Sequence, residues 1–409
     1  MNQDITILRD LAQRYMDLCA DPVQNERRDL WRRHNALQRT RPLIYVRAFA
    51  RREIPACQCS CEDPFWRRWE TDLRSKLFWL SLGDDSIFEP WLVVPASRVT
   101  PSGGLWGVPL KWEGRSATTA GTCEPPIKEP EDLAKLVAAH HEINEQSTRD
   151  TVERVRDAVG DLISVVVDRA PIHFNWTADI STYLSQLRGL EQIMWDMMDR
   201  PQWLHELLAF MRDAIMATHR QAEEAGDWSL LNHYNQAMPY ESSLQDPAPD
   251  SAPVGRDQLW VFCASQEFEL IGPDRFKEFM LDYQIPIMEP FALAAYGCCE
   301  NLSEKIDVVR AIPNLRRIAI SPMADVRRCA EQIGDEYVFS YRPSPSDMVG
   351  YSWDEDRVRR ILREDLAICR EHGCHVDITL KDVETVQNEP QRLFDWVRIT
   401  REVIDEVYS

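Results

Sequence analysis

Ala292-Leu293-Ala294-Ala295-Tyr296-Gly297-Cys298-Cys299-Glu300 is a short apolar run that ends, without a polar spacer, in two thiols and a carboxylate. Its length and flanks read as a buried strand from Ala292 to Cys298. A helical pattern follows at 302–311, and then a second apolar run, Leu315 to Ser321. A strand, a helix and a strand in that order form a βαβ unit and imply a parallel sheet.

The alternation continues in both directions. Toward the C-terminus come helix 324–332, strand Tyr337 to Tyr341, helix 354–372, strand His375 to Leu380 and helix 390–407. Toward the N-terminus, strand Leu259 to Ala264 leads into helix 273–290. Before it stand Trp228 to His233, helices 181–198 and 202–224, Leu162 to Asp168 and helix 131–158. Earlier still are Trp91 to Val94, helix 64–82, Leu43 to Val46 and a helical stretch over 4–40. Nine candidate strands are one more than an eight-stranded barrel uses, so one is an N-terminal extra or not a strand. The expected fold is α/β: a single (β/α)₈ TIM-type barrel over 1–409, with 1–40 as an N-terminal helical extension. Residues 97–130 read as an excursion with a short hairpin at Val108 to Lys111. Residues 239–257 carry Pro239, Pro247, Pro249, Pro253 and Gly255 and read as a long loop and candidate lid. The rival architecture is an open doubly wound sheet. No Gly-x-Gly-x-x-Gly follows the first strand and no phosphate loop is present, so its nucleotide-binding forms have no support.

Composition narrows the function. The net charge of −20 argues against a protein that tracks nucleic-acid phosphates or binds anionic lipid. The N-terminus lacks a basic segment followed by an apolar run, and no stretch approaches a membrane span. The expectation is an acidic cytoplasmic protein. Eleven cysteines, an odd number, fit free thiols or metal ligands better than a disulfide framework. Cys57-x-Cys59-x-Cys61 is more tightly spaced than usual zinc ligands.

In a (β/α)₈ barrel the reacting groups stand at the C-terminal ends of strands. Those ends carry Asp168 and His173, His233 and Tyr234, Cys298 to Glu300, Ser321, Tyr341 and Arg342, and Lys381 and Asp382. Strand starts are blander, and this asymmetry points to an enzyme. Each residue also has a structural alternative. Paired cysteines serve as small buried hydrophobes, Glu300 as a first-turn acid of the next helix, His233 as a satisfied core histidine, and Lys381-Asp382 as a weak surface ion pair. Arg342 suits bidentate carboxylate recognition.

From about 257 to 407 the chain resembles the uroporphyrinogen decarboxylase superfamily, nearest its uncharacterised and cobalamin-associated methyltransferase branches. The residues that carry the resemblance are Leu270 to Phe279, Tyr296 to Glu300, Ile318 to Pro322 and Leu380 to Val386. In the methyltransferases, His-x-Cys and a distant Cys hold zinc. Cys298 matches the family Cys, but Tyr296 stands in place of His, and Leu380-Lys381-Asp382 supplies no distant Cys. A mixed zinc site of Cys298, Cys299, Glu300 and His233 is the remaining metal candidate. Zinc would hold a nucleophilic thiolate for methyl transfer. The chain has no Asp-x-His-x-x-Gly motif, so a corrinoid would come from a partner protein. The resemblance also implies a homodimer with facing mouths.

The leading expectation is a methyltransferase-like enzyme that moves a methyl group between a corrinoid or small methylated donor and a thiol-type acceptor. Cys298, Cys299, Glu300 and Asp168 are its catalytic candidates, and Arg47, His173, His233, Tyr296, Tyr341, Arg342 and Lys381 its substrate contacts. The alternatives are a metal-independent lyase that decarboxylates a tetrapyrrole-like acid, with Asp168 or Asp85 handling protons, and a non-catalytic tetrapyrrole-binding barrel. The decarboxylases' Arg-Gln-Ala-Gly-Arg-Tyr type segment is absent near Arg47.

Overall fold

The computed structural model describes residues 2–114, 121–351 and 353–409. Eight strands run parallel: β1 Leu43–Ala48, β2 Trp91–Pro95, β3 Ser164–Asp168, β4 Trp260–Cys263, β5 Leu293–Tyr296, β6 Leu315–Ile320, β7 Val338–Tyr341 and β8 His375–Val383. Six form one continuous curled sheet in the order β1-β8-β7-β6-β5-β4, while β2 and β3 pair separately. Hydrogen bonding therefore closes a half-barrel. The fully closed eight-stranded ladder expected from the sequence is not formed among the described residues, because two seams interrupt it, between β1 and β2 and between β3 and β4.

The seam beside β1 is closed by side chains. Asp85 Oδ2 accepts from Ile44 N–H at 2.7 Å, and Asp84 Oδ2 accepts from Val46 N–H at 2.9 Å. These carboxylates take the backbone donors that a neighbouring strand would otherwise satisfy. Arg41 and Arg401 each grip Asp85 through two nitrogens, at 2.7 and 3.0 Å and at 2.7 and 2.8 Å. Asp85 is 2% exposed, and although burial works against its charge, the two guanidinium groups hold its pKa down at about 2. Asp85 is thus a clamp rather than a proton carrier.

At the other seam, Trp228 to His233 is not a strand. Ser229 N–H donates to Asn232 Oδ1 at 2.9 Å, and the backbone tightens into a 3₁₀ turn at Leu230–Asn232. Side-chain capping of this kind competes with ladder bonding. This is the surplus ninth strand.

Other departures have local causes. The N-terminal helical stretch divides into Gln3–Cys19 and Val23–Asn35 around Asp21-Pro22. The 181–198 helix breaks at Gly189, where φ is 87°. Only Glu145–Val159 of 131–158 is α-helical, after a 3₁₀ segment at Pro130–Lys135. The hairpin lies at Lys111–Glu113 and Thr122–Glu124, later than expected, and residues 115–120 of the excursion fall outside the described residues. No helix among the described residues is long and apolar enough to cross a membrane.

Alternation along each strand sorts its two faces. Val261, Tyr296, Ile318, Phe339, Tyr341 and Ile378 pack outward into the main helix-covered core. Trp260, Phe262 and Ala295 face inward. The inner face of β6 to β8 is polar. Arg317 pairs with Asp377 at 2.6 Å, both fully buried, and Ser340, Thr379 and His34 complete the cluster at 3.0, 3.0 and 3.3 Å from Asp377. Burying an ion pair costs several kcal/mol of hydration per charge, which this set of contacts offsets. Asp377, Thr379 and Lys381 share one face of β8, so Lys381 stands roughly 13 Å above Asp377, toward the C-terminal mouth.

Asp85→Ala is expected to lower unfolding free energy by about 3–5 kcal/mol, because it strands two arginines and a backbone donor. Arg41→Ala should cost clearly less, since Arg401 keeps its hold and the Arg41 side chain is 35% exposed. Urea unfolding of both variants checks the order. Equal losses would show that Asp85 is not the shared anchor.

Candidate active site

The mouth of the half-barrel is built from the ends of several strands. A cavity of about 310 Å³ is lined by Arg47 of β1, Phe49 just beyond it, Trp176 beyond β3, and Gln266 beyond β4. Cys298 and Cys299 beyond β5, Lys381 and Asp382 of β8, and Gln236 complete it.

Gly297 brings the two thiols together. Its φ of 92° lies in the region that favours glycine, and a Cβ there would meet Leu302 at 2.7 Å and Ala319 at 3.3 Å. Tyr296 points outward into the helix layer. The turn at Gly297 then puts Cys298 among the inward-facing residues, although strict alternation would leave it facing outward. Consecutive side chains on a straight strand would diverge, but here the two sulfurs lie 3.6 Å apart. Glu300 holds the turn. It is fully buried, with one oxygen accepting from Cys298 N–H at 2.8 Å and the other from Ser265 N–H at 2.8 Å.

Lys381 donates to both sulfurs, at 3.3 Å to Cys298 and 3.1 Å to Cys299, and it also pairs with Asp382. Arg342 reaches the same turn from β7's end and donates to the Cys298 carbonyl at 3.0 Å. These groups divide the thiols into unlike partners. The hydrogen bond from Cys299 lowers the Cys298 pKa most. Burial opposes it, and Arg342 and Lys381 add to it, bringing Cys298 down to about 6. Cys299 moves the other way, raised first by that same bond and then by burial. The resting pair is therefore a Cys298 thiolate accepting from a Cys299 thiol. Burial and Arg342 work against the Lys381 charge, but Cys298 and Asp382 outweigh them, so its pKa is raised and it stays an ammonium.

The other expected residues are distributed around the barrel. Arg47 lines the mouth, with no carboxylate partner among the described residues. Asp168 is held by Arg98 at 3.1 Å and by Asn232 at 2.8 Å, and it does not line this cavity. His173 packs against Trp106, with ring centres 4.6 Å apart, and burial pushes its pKa down to about 4. His233 accepts from Trp260 N–H, at the start of β4 and so at the end of the barrel opposite to Cys298; burial lowers it to about 4 as well. The Tyr296 hydroxyl donates to Gln284 Oε1 at 2.6 Å and accepts from the Ser265 hydroxyl at 3.0 Å, behind the cavity. Tyr341 donates to Asp365 on the helix side. Trp176, Gln236, Gln266 and Phe49 escaped sequence reasoning. They sit on loops and carry no motif.

The residues do not fit the expected zinc. Cys298, Cys299, Glu300 and His233 do not converge, and no three His, Cys, Asp or Glu side chains among the described residues are grouped to hold a metal ion. Both Glu300 oxygens face backbone donors, His233 is at the far end, and an ammonium already lies against both sulfurs.

No family model matches the chain, and no curated protein does. Among solved structures it is similar to a methyltransferase from Methanosarcina mazei, at 11% sequence identity and a TM-score of 0.53, over 94% of this chain and 99% of that one. At that identity the likeness concerns the fold.

Alkylation of the Cys298 peptide by iodoacetamide, followed by mass spectrometry, is expected to rise with pH to half its maximum near pH 6 and then level off, because the thiolate is the reacting form. Lys381→Met and Cys299→Ala should each move the midpoint up toward the ordinary thiol value of about 8.5. A wild-type midpoint already near that value would contradict the ion-pair assignment.

Proposed function

We propose that this chain is a methyltransferase-type enzyme in which the Cys298 thiolate is the group that takes up methyl from a small methylated donor. One observation carries the reading: a thiolate supported by a thiol, an ammonium and a guanidinium opens onto a cavity at the C-terminal mouth of a half-barrel. The fold likeness to a methyltransferase agrees with it at the level of architecture.

The step is a nucleophilic displacement. A lone pair on Cys298 Sγ attacks the methyl carbon, the carbon–sulfur bond forms as the bond to the leaving group breaks, and the leaving group departs with that electron pair. Lys381 then stands over a neutral thioether instead of a thiolate, and its charge is free to stabilise the departing group. Asp382 pairs with Lys381 and keeps it protonated. Cys299 hydrogen-bonds the thiolate before attack. Turnover requires an onward acceptor that is a stronger nucleophile than the thiolate, the class to which a reduced corrinoid belongs. The ammonium takes the charge-balancing part that a metal ion would otherwise play at a thiolate.

Incubation with trimethylsulfonium tests the reading. One added methyl group on the Cys298 peptide is expected in the wild type, none on that peptide in Cys298→Ser, and a rate at least tenfold lower in Lys381→Met. A chelator should leave the wild-type rate unchanged. Methyl uptake that survives in Cys298→Ser, or no uptake in the wild type, overturns the assignment.

A further inference from the structure

A second cavity, of about 390 Å³, lies beside the first. It occupies the seam between β1 and β2, above the Asp84 and Asp85 caps. Arg47 and Phe49 line both cavities, so the two adjoin at these side chains and together make a cleft with the Cys298 thiolate at one end and the seam at the other. Each is near the lower end of the roughly 300–1,000 Å³ that small-molecule sites occupy.

The walls define what the cleft accepts. Its seam end presents the rings of Tyr45, Trp79, Phe88 and Trp91 beside Val93, with Arg51, Lys76 and Glu89 also in the wall. Val93 belongs to the face of β2 opposite the buried Leu92 and Val94, yet it is 37% exposed because nothing fills the space before it. Phe49 is a large ring left 44% exposed at the junction. Beside it, Arg47 is half-buried, with Tyr45, Tyr234 and the Cys298 sulfur as its neighbours and no carboxylate paired with it among the described residues. Gln236 gives independent evidence. It is 2% exposed and lines the thiolate end, and neither its amide nitrogen nor its oxygen has a hydrogen-bond partner. Its φ of 63° holds the backbone in the left-handed region. A buried, unpaired polar group on strained backbone is costly to the fold alone, and it is the kind of feature that a ligand's polar atoms satisfy.

We infer that this cleft binds an organic acid with a flat aromatic body. The body lies in the β1–β2 seam, and the carboxylate sits at the junction, where Arg47 donates to it and the Gln236 amide reads it. This names the substrate class of the proposed active site. It rests on that reading only for the statement that the substrate's reactive carbon faces Cys298, since the cleft and its polar groups stand without it.

Isothermal titration of 2-naphthoate and of its neutral analogue 2-naphthamide provides the test. The wild type is expected to bind naphthoate at least tenfold more tightly than naphthamide. Arg47→Ala should abolish that preference. Gln236→Met should weaken naphthoate binding while raising the thermal midpoint, because it removes an unpaired amide; a purely structural glutamine would lower the midpoint. Val93→Trp, which fills the seam, should weaken both probes. Cys298→Ser should bind naphthoate as the wild type does, so loss of methyl uptake and loss of the acid site are read separately. Equal binding of the two probes, or undiminished naphthoate binding in both Arg47→Ala and Val93→Trp, overturns the inference.

Discussion

Strand β8 has to carry, on one inward face, a buried carboxylate at Asp377, a hydroxyl at Thr379 and an ammonium at Lys381, while hydrogen-bonding to β1 on one side and β7 on the other. Each of these groups is costly inside a barrel unless it meets a partner, and the partners dictate much of the remaining interior. Arg317 of β6 answers Asp377, and the two sulfurs beyond β5 answer Lys381. The polar column thus runs from a satisfied ion pair near the strand starts to an ammonium–thiolate contact at the mouth. The lower pair is closed off from solvent by His34, Ser340 and Thr379. The upper one opens onto a cavity.

The same contact divides the two cysteines. Adjacent thiols in equivalent surroundings would compete for one proton with no fixed winner. Here Gly297 turns the chain and Glu300 pins the backbone N–H of Cys298. Lys381 touches both sulfurs, while Arg342 adds its charge at Cys298. Burial, which would raise both thiols, is overcome only at Cys298, where the hydrogen bond from Cys299, Arg342 and Lys381 act together.

Much of this was legible in the sequence, for a definite reason. A strand that must be buried on both faces shows as a short apolar run, and the first polar residue after it marks the barrel mouth, so Cys298, Cys299, Lys381 and Arg342 could be located from pattern alone. Charge partnership could not be read in that way. Lys381 looked like one half of a surface pair with Asp382, because nothing local says that β5 and β8 place their ends side by side. Trp228 to His233 looked like a strand because apolar spacing does not register the Ser229–Asn232 side-chain cap. Gln236 is invisible in sequence, since its importance lies in having no partner. Tyr296 and Tyr341 were read as mouth residues, but their strands turn those side chains toward the helices.

The aspartate caps on β1 have a further consequence. Where two strands share a ladder, their spacing is fixed near 4.8 Å, and nothing can be inserted between them without breaking backbone hydrogen bonds. At this seam the backbone donors are already satisfied by Asp84 and Asp85, so the distance from β1 to β2 is set by side chains alone. Trp79 and Val93 can therefore change size over generations without touching the sheet. Where a seam carries no ladder, the width of the cavity beside it can change while the hydrogen-bonded sheet stays fixed.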